Sequence, residues 1–169
     1  MKTAGNSLTV FLVDDDVLFL TALKHNLHEK FRSLIKIHTF SNAEEFLCHM
    51  QEKPDLVVLD YSLDGIDGKS MNGIEVLYRI KKASEDTDVV ILSGQRKTEV
   101  VEESLHGGAS KYVVKGRKAA VAIQNKVNVM LHEHREEQDR RENTRLNVFV
   151  LVIFSAFAAS LVFFYLKFR

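Results

Sequence analysis

The stretch LTVFLVDDD, residues 8–16, carries an almost unbroken apolar run straight into Asp14, Asp15 and Asp16. A run without polar alternation is what a strand covered on both faces requires. Three further runs end in a similar way. Residues 56–59 stop at Asp60, residues 89–92 at Ser93, and residues 112–114 at Lys115. Laid side by side as parallel strands, these runs bring acids, a hydroxyl and an ammonium to one carboxyl edge. Open α/β sheets bind their ligands at that edge. Such a set of groups fits a divalent cation and a phosphoryl group.

Helical patterns lie between the runs. Leu20, Leu23 and Leu27 share one face of 17–30. A short second strand is expected at 34–38, and Ser41 or Asn42 caps a helix carrying Phe46, Leu47 and Met50. Residues 55–60 form the third strand. Asn72 or Gly73 opens a helix through Val76, Leu77 and Ile80, and 88–92 is the fourth strand. A helix across 98–106 ends at Gly107-Gly108, a C-cap signal. Residues 111–114 make the fifth strand, and a last helix starts near Arg117. Right-handed crossovers then predict an α/β fold: a doubly wound, flavodoxin-like, five-stranded parallel sheet of order 2-1-3-4-5.

The 169 residues hold 23 Lys and Arg against 23 Asp and Glu, so no basic excess points to nucleic acid, and no such partner is expected. The lone Cys48 excludes an intramolecular disulfide and is read as a small buried hydrophobe. The mean hydropathy of −0.09 averages two unlike parts. Residues 132–145 are nearly all polar, whereas 146–166 are 21 residues without a charge. A bilayer core of about 30 Å needs about 20 such residues in a helix. The expected organisation is a domain at 7–131, a charged helical stalk at 132–145 and a transmembrane helix at 146–166. Arg145 and Lys167 would sit at its two ends, and Tyr165 suits an interface. Glu136 with Arg140 and Glu137 with Arg141 have the spacing of helix-stabilising pairs. A tail anchor with the domain on the cytoplasmic side is expected, because magnesium and phosphate chemistry belongs there. Small residues at 155/159 and 156/160 leave room for a homodimer through the span.

Carboxylates brought together repel, and Mg2+ relieves that repulsion with oxygen ligands. Asp14, Asp15 and Asp60 are the candidate carboxylates. A carboxylate can also be a nucleophile toward phosphorus. Asp60 suits that part because it stands alone at the end of the central strand. Lys115 can neutralise a phosphoryl oxygen and Ser93 can donate a hydrogen bond to another. Taken singly these signals are weak, since acidic triplets are commonly solvated turns. Four of them in order on four strands are not.

The motifs LTVFLVDDD, PDLVVLDYSL, MNGIEVL, VVILSG and GGASKYVVKG make residues 7–131, about three quarters of the chain, resemble a receiver domain of two-component response regulators, of the CheY-like kind. The resemblance implies that Asp60 is the phosphoacceptor, Asp14 and Asp15 the acidic pair, and Asp15 the more direct metal ligand of the two. It implies that Ser62 gives its backbone carbonyl to Mg2+. Ser93 is then the hydroxyl switch residue, Lys115 the active-site lysine and Tyr112 the aromatic switch residue. The implied partner is a sensor histidine kinase or a phosphotransfer protein. The chain is then no enzyme beyond taking up the phosphoryl group and losing it again. Output is expected through protein–protein contacts, with a phosphorylation-independent scaffold as the alternative.

Three departures from the family pattern stand out. The DGIDGKS segment, residues 64–70, lengthens the loop after Asp60. Gly116 follows the lysine where the family has a proline after a cis bond, and a cis bond to glycine costs about 2.5–4 kcal/mol. Lys111 stands where a small residue is common. Other readings of the strand-end acids and of the long loop fail on single positions. A dehalogenase-type phosphatase needs an acid where Ser62 stands. A P-loop ending at Gly68-Lys69-Ser70 needs glycine at Leu63, and an EF-hand starting at Asp60 needs an acid at Met71.

Overall fold

The computed structural model describes residues 7–63, 71–94 and 97–167. The chain divides into two compact units, Met1–Asn128 and Val129–Arg169. In chain order the strands are β1 (Leu8–Val13), β2 (Ile35–Phe40), β3 (Leu56–Asp60), β4 (Ser62–Leu63), β5 (Met71–Asn72), β6 (Asp88–Ser93) and β7 (Lys111–Val114). The helices are α1 (Val17–Phe31), α2 (Ala43–Cys48), α3 (Gly73–Ala83), α4 (Thr98–His106) and α5 (Ala119–Lys167).

β2, β1, β3, β6 and β7, in that order, form one sheet, and every pairing in it is parallel. This is the doubly wound order expected from the alternation of runs and helices. β3 is buried along its whole length, as its unbroken apolar run requires. On one face of the sheet Phe11, Val57, Leu59 and Ile91 pack with Phe46, Leu77 and Ile80 from α2 and α3. Leu20, Leu23, Leu27 and Phe31 are the buried side of α1, and Ile123 and Val127 are buried in α5. Burying a side chain of this kind contributes roughly 1.5–3 kcal/mol.

The register fixes where the polar strand ends meet. Val13 pairs with Leu59 and Asp60 with Leu92, so Asp14 leaves the sheet beside Asp60. Ser93 pairs with Val114, so Lys115 leaves one step beyond Ser93. The acidic triplet then turns into α1. Asp16 caps that helix by accepting a hydrogen bond from the Phe19 backbone N–H at 3.0 Å.

Several boundaries differ from the sequence reading. The second strand is shifted to Ile35–Phe40 because its pairing with all of β1 carries it two residues further. α2 stops at Cys48, and Met50 lies in a separate 3-10 turn that ends at left-handed Lys53, just before Pro54. Phe46 and Met50 take the inward positions, so Cys48 is exposed rather than buried. The last helix begins at Ala119 rather than near Arg117.

The second unit consists of the remainder of α5. Of the expected stalk pairs, Glu137 and Arg141 lie 3.5 Å apart. Among the described residues no helix is long and apolar enough to cross a membrane. The side chains at 156–162 and 165–166 of the span expected at 146–166 lie outside the described residues, as do residues 64–70 with the P-loop-like ending.

Candidate functional site

Asp14 and Asp60 are 1% and 3% exposed, a depth at which an unpaired carboxylate is costly. Lys115 answers both. Its Nζ lies 2.8 Å from Asp14 Oδ2 and 2.9 Å from Asp60 Oδ2, and it donates a hydrogen bond to Asp14 Oδ1 at 3.0 Å. The Asp16 backbone N–H donates to the same Oδ1. Asp14 Oδ2, buried, has the ammonium beside it but no directed hydrogen bond. Lys115 Nζ also lies 5.3 Å from the centre of the Phe19 ring, on the first turn of α1.

The electrostatics follow from this geometry. Burial pushes the Asp60 carboxyl up from 3.8 to about 6; the Lys115 hydrogen bond opposes that rise and the Asp14 charge adds to it. Burial also raises Asp14, against the pull of Lys115. Desolvation acts to lower Lys115, but its hydrogen bonds and charge interactions with Asp14 and Asp60 outweigh it, and the ammonium is held above its usual range. One ammonium therefore serves two buried carboxylates, and Asp15 stands exposed beside them.

One oxygen from each of Asp14, Asp15 and Asp60 lies within 4.8 Å of the others. Hard oxygen donors, an excess of negative charge and the Asp14 oxygen without a directed donor together suit a hard divalent cation. The acids border a cleft of about 510 Å³ lined by Asp15, Asp60, Tyr61, Ser62, Ser93, Gly94, Lys97, Val100, Tyr112 and Lys115. The structure thus brings Asp15, Asp60, Ser62, Ser93, Tyr112 and Lys115 around one cleft, and places Asp14 behind it on Lys115. Ser93 is buried, its carbonyl accepting a hydrogen bond from the Lys115 N–H at 2.8 Å. Tyr112, half-buried, packs against the core and pairs with Ile91 in the sheet.

Two departures noted in the sequence are resolved locally. The lengthened loop leaves and returns as a two-stranded antiparallel ribbon, with Ser62 opposite Asn72 and Leu63 opposite Met71. The ribbon delivers the chain to the start of α3, where Asn72 accepts a hydrogen bond from the Ile74 N–H. Gly73 N–H donates to the Tyr61 carbonyl at 2.8 Å. A Cβ on Gly73 would stand 2.7 Å from the Asp60 carbonyl oxygen and 2.7 Å from Tyr61 Cα. Only glycine lets α3 approach the end of β3 this closely. At the other departure no peptide bond described is cis, and Gly116 has φ +154°. Proline, fixed near −65°, cannot take that conformation. Glycine there keeps the bond trans, and Lys115 still reaches both carboxylates.

Sequence reasoning missed Lys97, a lone lysine with no pattern around it. It also missed the close approach at Gly73, for which the only signal was an Asn-Gly pair read as a helix start.

The comparisons agree with this architecture. The family model for the response regulator receiver domain matches residues 10–128. The chain belongs to that family. Among curated relatives, the probable transcriptional regulatory protein SgaR of Hyphomicrobium methylovorum is 27% identical over 126 residues, 74% of this chain and 57% of its own length. The transcriptional regulatory protein AfsQ1 of Streptomyces coelicolor is 33% identical over 108 residues, 63% of this chain and 44% of its own. The chain therefore spans about half the length of these relatives. Sporulation initiation phosphotransferase F of Bacillus subtilis is 35% identical over 65 residues, 38% of this chain and 48% of its own. Among solved structures, the BeF3-activated DrrB receiver domain is 28% identical with a TM-score of 0.62, covering 75% of this chain and 98% of its own. A CheY-like receiver domain from Methanospirillum hungatei, 23% identical with a TM-score of 0.64 over 78% of this chain and 98% of its own, shares the fold.

Proposed function

We propose that this receiver accepts a phosphoryl group on Asp60 from a phosphohistidine of a sensor histidine kinase or phosphotransfer protein. The observation that carries the reading is the Lys115 ammonium held between Asp14 and Asp60 at 2.8 and 2.9 Å, at the edge of the cleft. An Asp60 oxygen forms the new bond to phosphorus as the bond to the imidazole nitrogen breaks, and the imidazole takes up a proton. Asp60 loses its charge in this step, so Lys115, still paired with Asp14, has its second contact to offer a phosphoryl oxygen. Ser93 supplies a hydroxyl to another oxygen. Asp14, Asp15, Asp60 and the Ser62 carbonyl would hold Mg2+, which supplies positive charge against the carboxylates and the incoming phosphoryl group.

The readout we propose is a change in protein–protein contacts, as Ser93 moves toward the phosphoryl group and Tyr112 follows. The chain performs no chemistry beyond its own phosphorylation and dephosphorylation. The curated relatives named for transcription match 74% and 63% of this chain, and no nucleic-acid contact belongs to the proposal. We further propose that residues 146–166 anchor the chain in a membrane, with the receiver on a stalk at 132–145 and facing the cytoplasm. This rests on the uncharged sequence and on the exposure of neighbouring apolar side chains around the helix, among them Phe149, Leu151, Ile153 and Phe154. A homodimer through the same helix is the oligomeric form that fits it.

The test is acetyl phosphate or beryllofluoride with Mg2+, on wild type and Asp60→Asn. A mobility shift or spectral change in wild type alone supports the acceptor. The same behaviour from both proteins would favour a phosphorylation-independent scaffold. Carbonate extraction of membranes tests the anchor, with release of the full chain as the contrary result.

A further inference from the structure

Among the described residues, the charges at the acidic end of the cleft leave no positive excess to attract an anion. Asp14, Asp15 and Asp60 bring three carboxylates, and Lys115 answers them with one ammonium already 2.8 and 2.9 Å from two of them. A divalent cation on the acids brings the cluster only to neutrality. A phosphoryl donor arrives as a dianion, and a neutral cluster gives it no net attraction. Lys97 lines the same cleft from the segment between Ser93 and α4, just before that helix. It is exposed, and among the described residues its ammonium has no ion-pair or hydrogen-bond partner. It stands at the N-cap position of α4 but makes no side-chain cap, so the helix does not need it.

We propose that Lys97 is a donor-binding residue: its exposed ammonium attracts the dianionic phosphoryl donor into the cleft and holds it against Asp60. This rests on Asp60 being the acceptor. Lys115 and Lys97 then divide the work. Lys115 is internally neutralised and acts on the phosphoryl group once the bond forms. Lys97 acts on the donor before it does. The effect is on capture rather than on the chemical step, and it weakens with salt because Lys97 is exposed.

The test uses the full chain in neutral detergent with Mg2+, acetyl phosphate as the donor, and phosphate-affinity gels to follow the aspartyl phosphate. Wild type, Lys97→Ala, Lys97→Glu, Lys97→Arg and Asp60→Asn are compared at about 0.01 M and about 0.15 M ionic strength, where the screening length falls from ~30 to ~8 Å. The expected result is a half-saturating donor concentration roughly three- to fivefold higher in Lys97→Ala at low salt, and about tenfold higher in Lys97→Glu. The saturating rate stays unchanged, Lys97→Arg behaves as wild type, and the differences shrink at the higher salt. If wild type is modified and Asp60→Asn is not, yet all Lys97 variants match wild type, Lys97 has no such role while the acceptor reading stands. A loss of saturating rate with no change in half-saturation also overturns it. If wild type is not modified at all, or Asp60→Asn is modified equally, both readings fall together.

Discussion

Replacing Asp60 with asparagine should stabilise the metal-free receiver at neutral pH, and the size of the effect follows from the buried cluster. Asp60 is 3% exposed and its carboxyl is pushed up from 3.8 to about 6, first by burial, against its hydrogen bond to Lys115, with Asp14 adding to the rise. Holding it ionised in the folded state therefore works against folding. At about 1.4 kcal/mol per pH unit, the rise amounts to about 3 kcal/mol at pH 7.5. The penalty is absent below the unfolded value near 4, grows as pH climbs from there, and is complete above about 6. At pH 4.5 only about 1 kcal/mol of it remains. Asparagine keeps the shape without the charge, and Lys115 keeps its 2.8 Å contact with Asp14. Thermal unfolding in EDTA, followed by tyrosine fluorescence, is the assay, since Tyr61, Tyr78 and Tyr112 lie in the receiver unit. Asp60→Asn should melt roughly 10 °C above wild type at pH 7.5, with the gap narrowing to a few degrees at pH 4.5. Saturating Mg2+ should narrow it again by stabilising wild type. A variant no more stable than wild type at pH 7.5, or an advantage that widens as pH falls, would refute the reasoning.

Three other outcomes follow from the same geometry. Lys115→Met leaves Asp14 and Asp60 facing each other without a cation, and should destabilise the receiver at pH 7.5 by roughly 2–4 kcal/mol, less at pH 4.5, as read by urea denaturation. Gly73→Ala puts a methyl 2.7 Å from the Asp60 carbonyl oxygen and from Tyr61 Cα, which should cost about 1–3 kcal/mol in the same assay and slow phosphorylation by acetyl phosphate. Divalent-cation affinity, measured by calorimetry, should be steady above pH 7 and fall toward tenfold per pH unit once protons hold Asp60 below about 6.

How much of this could be read from the residues depends on how local the cause is. The sheet order and the positions of Asp14, Asp60, Ser93 and Lys115 were legible because each apolar run stops at a polar residue and parallel register then leaves little freedom. The ends of α2 were not. Which of Phe46, Cys48 and Met50 turns inward is decided by packing under β1 and β3, which helical period alone does not specify. The exposure of Cys48 follows from that packing. The close approach at Gly73 was hidden for a similar reason, since it depends on how near α3 comes to a strand thirteen residues earlier in the chain.

Gly116 is the sharpest case, because the sequence exposed the departure but not its consequence. The sequence shows only a glycine where the family has a proline. In the fold it takes φ +154°, a conformation closed to proline and strained for any residue with a Cβ, and Lys115 bridges both carboxylates from it. The lysine's position is thus built on glycine's freedom rather than on a proline's rigidity. Gly116→Ala should accordingly cost about 1–3 kcal/mol in urea denaturation, although a Cβ there meets no atom within 4 Å. Gly116→Pro, which cannot take the observed φ at all, should cost more and displace Lys115. The displacement is measurable as loss of the Asp60-dependent gap in melting temperature between pH 4.5 and pH 7.5. If proline at this position were neutral for both stability and that gap, the lysine would not depend on the glycine's backbone.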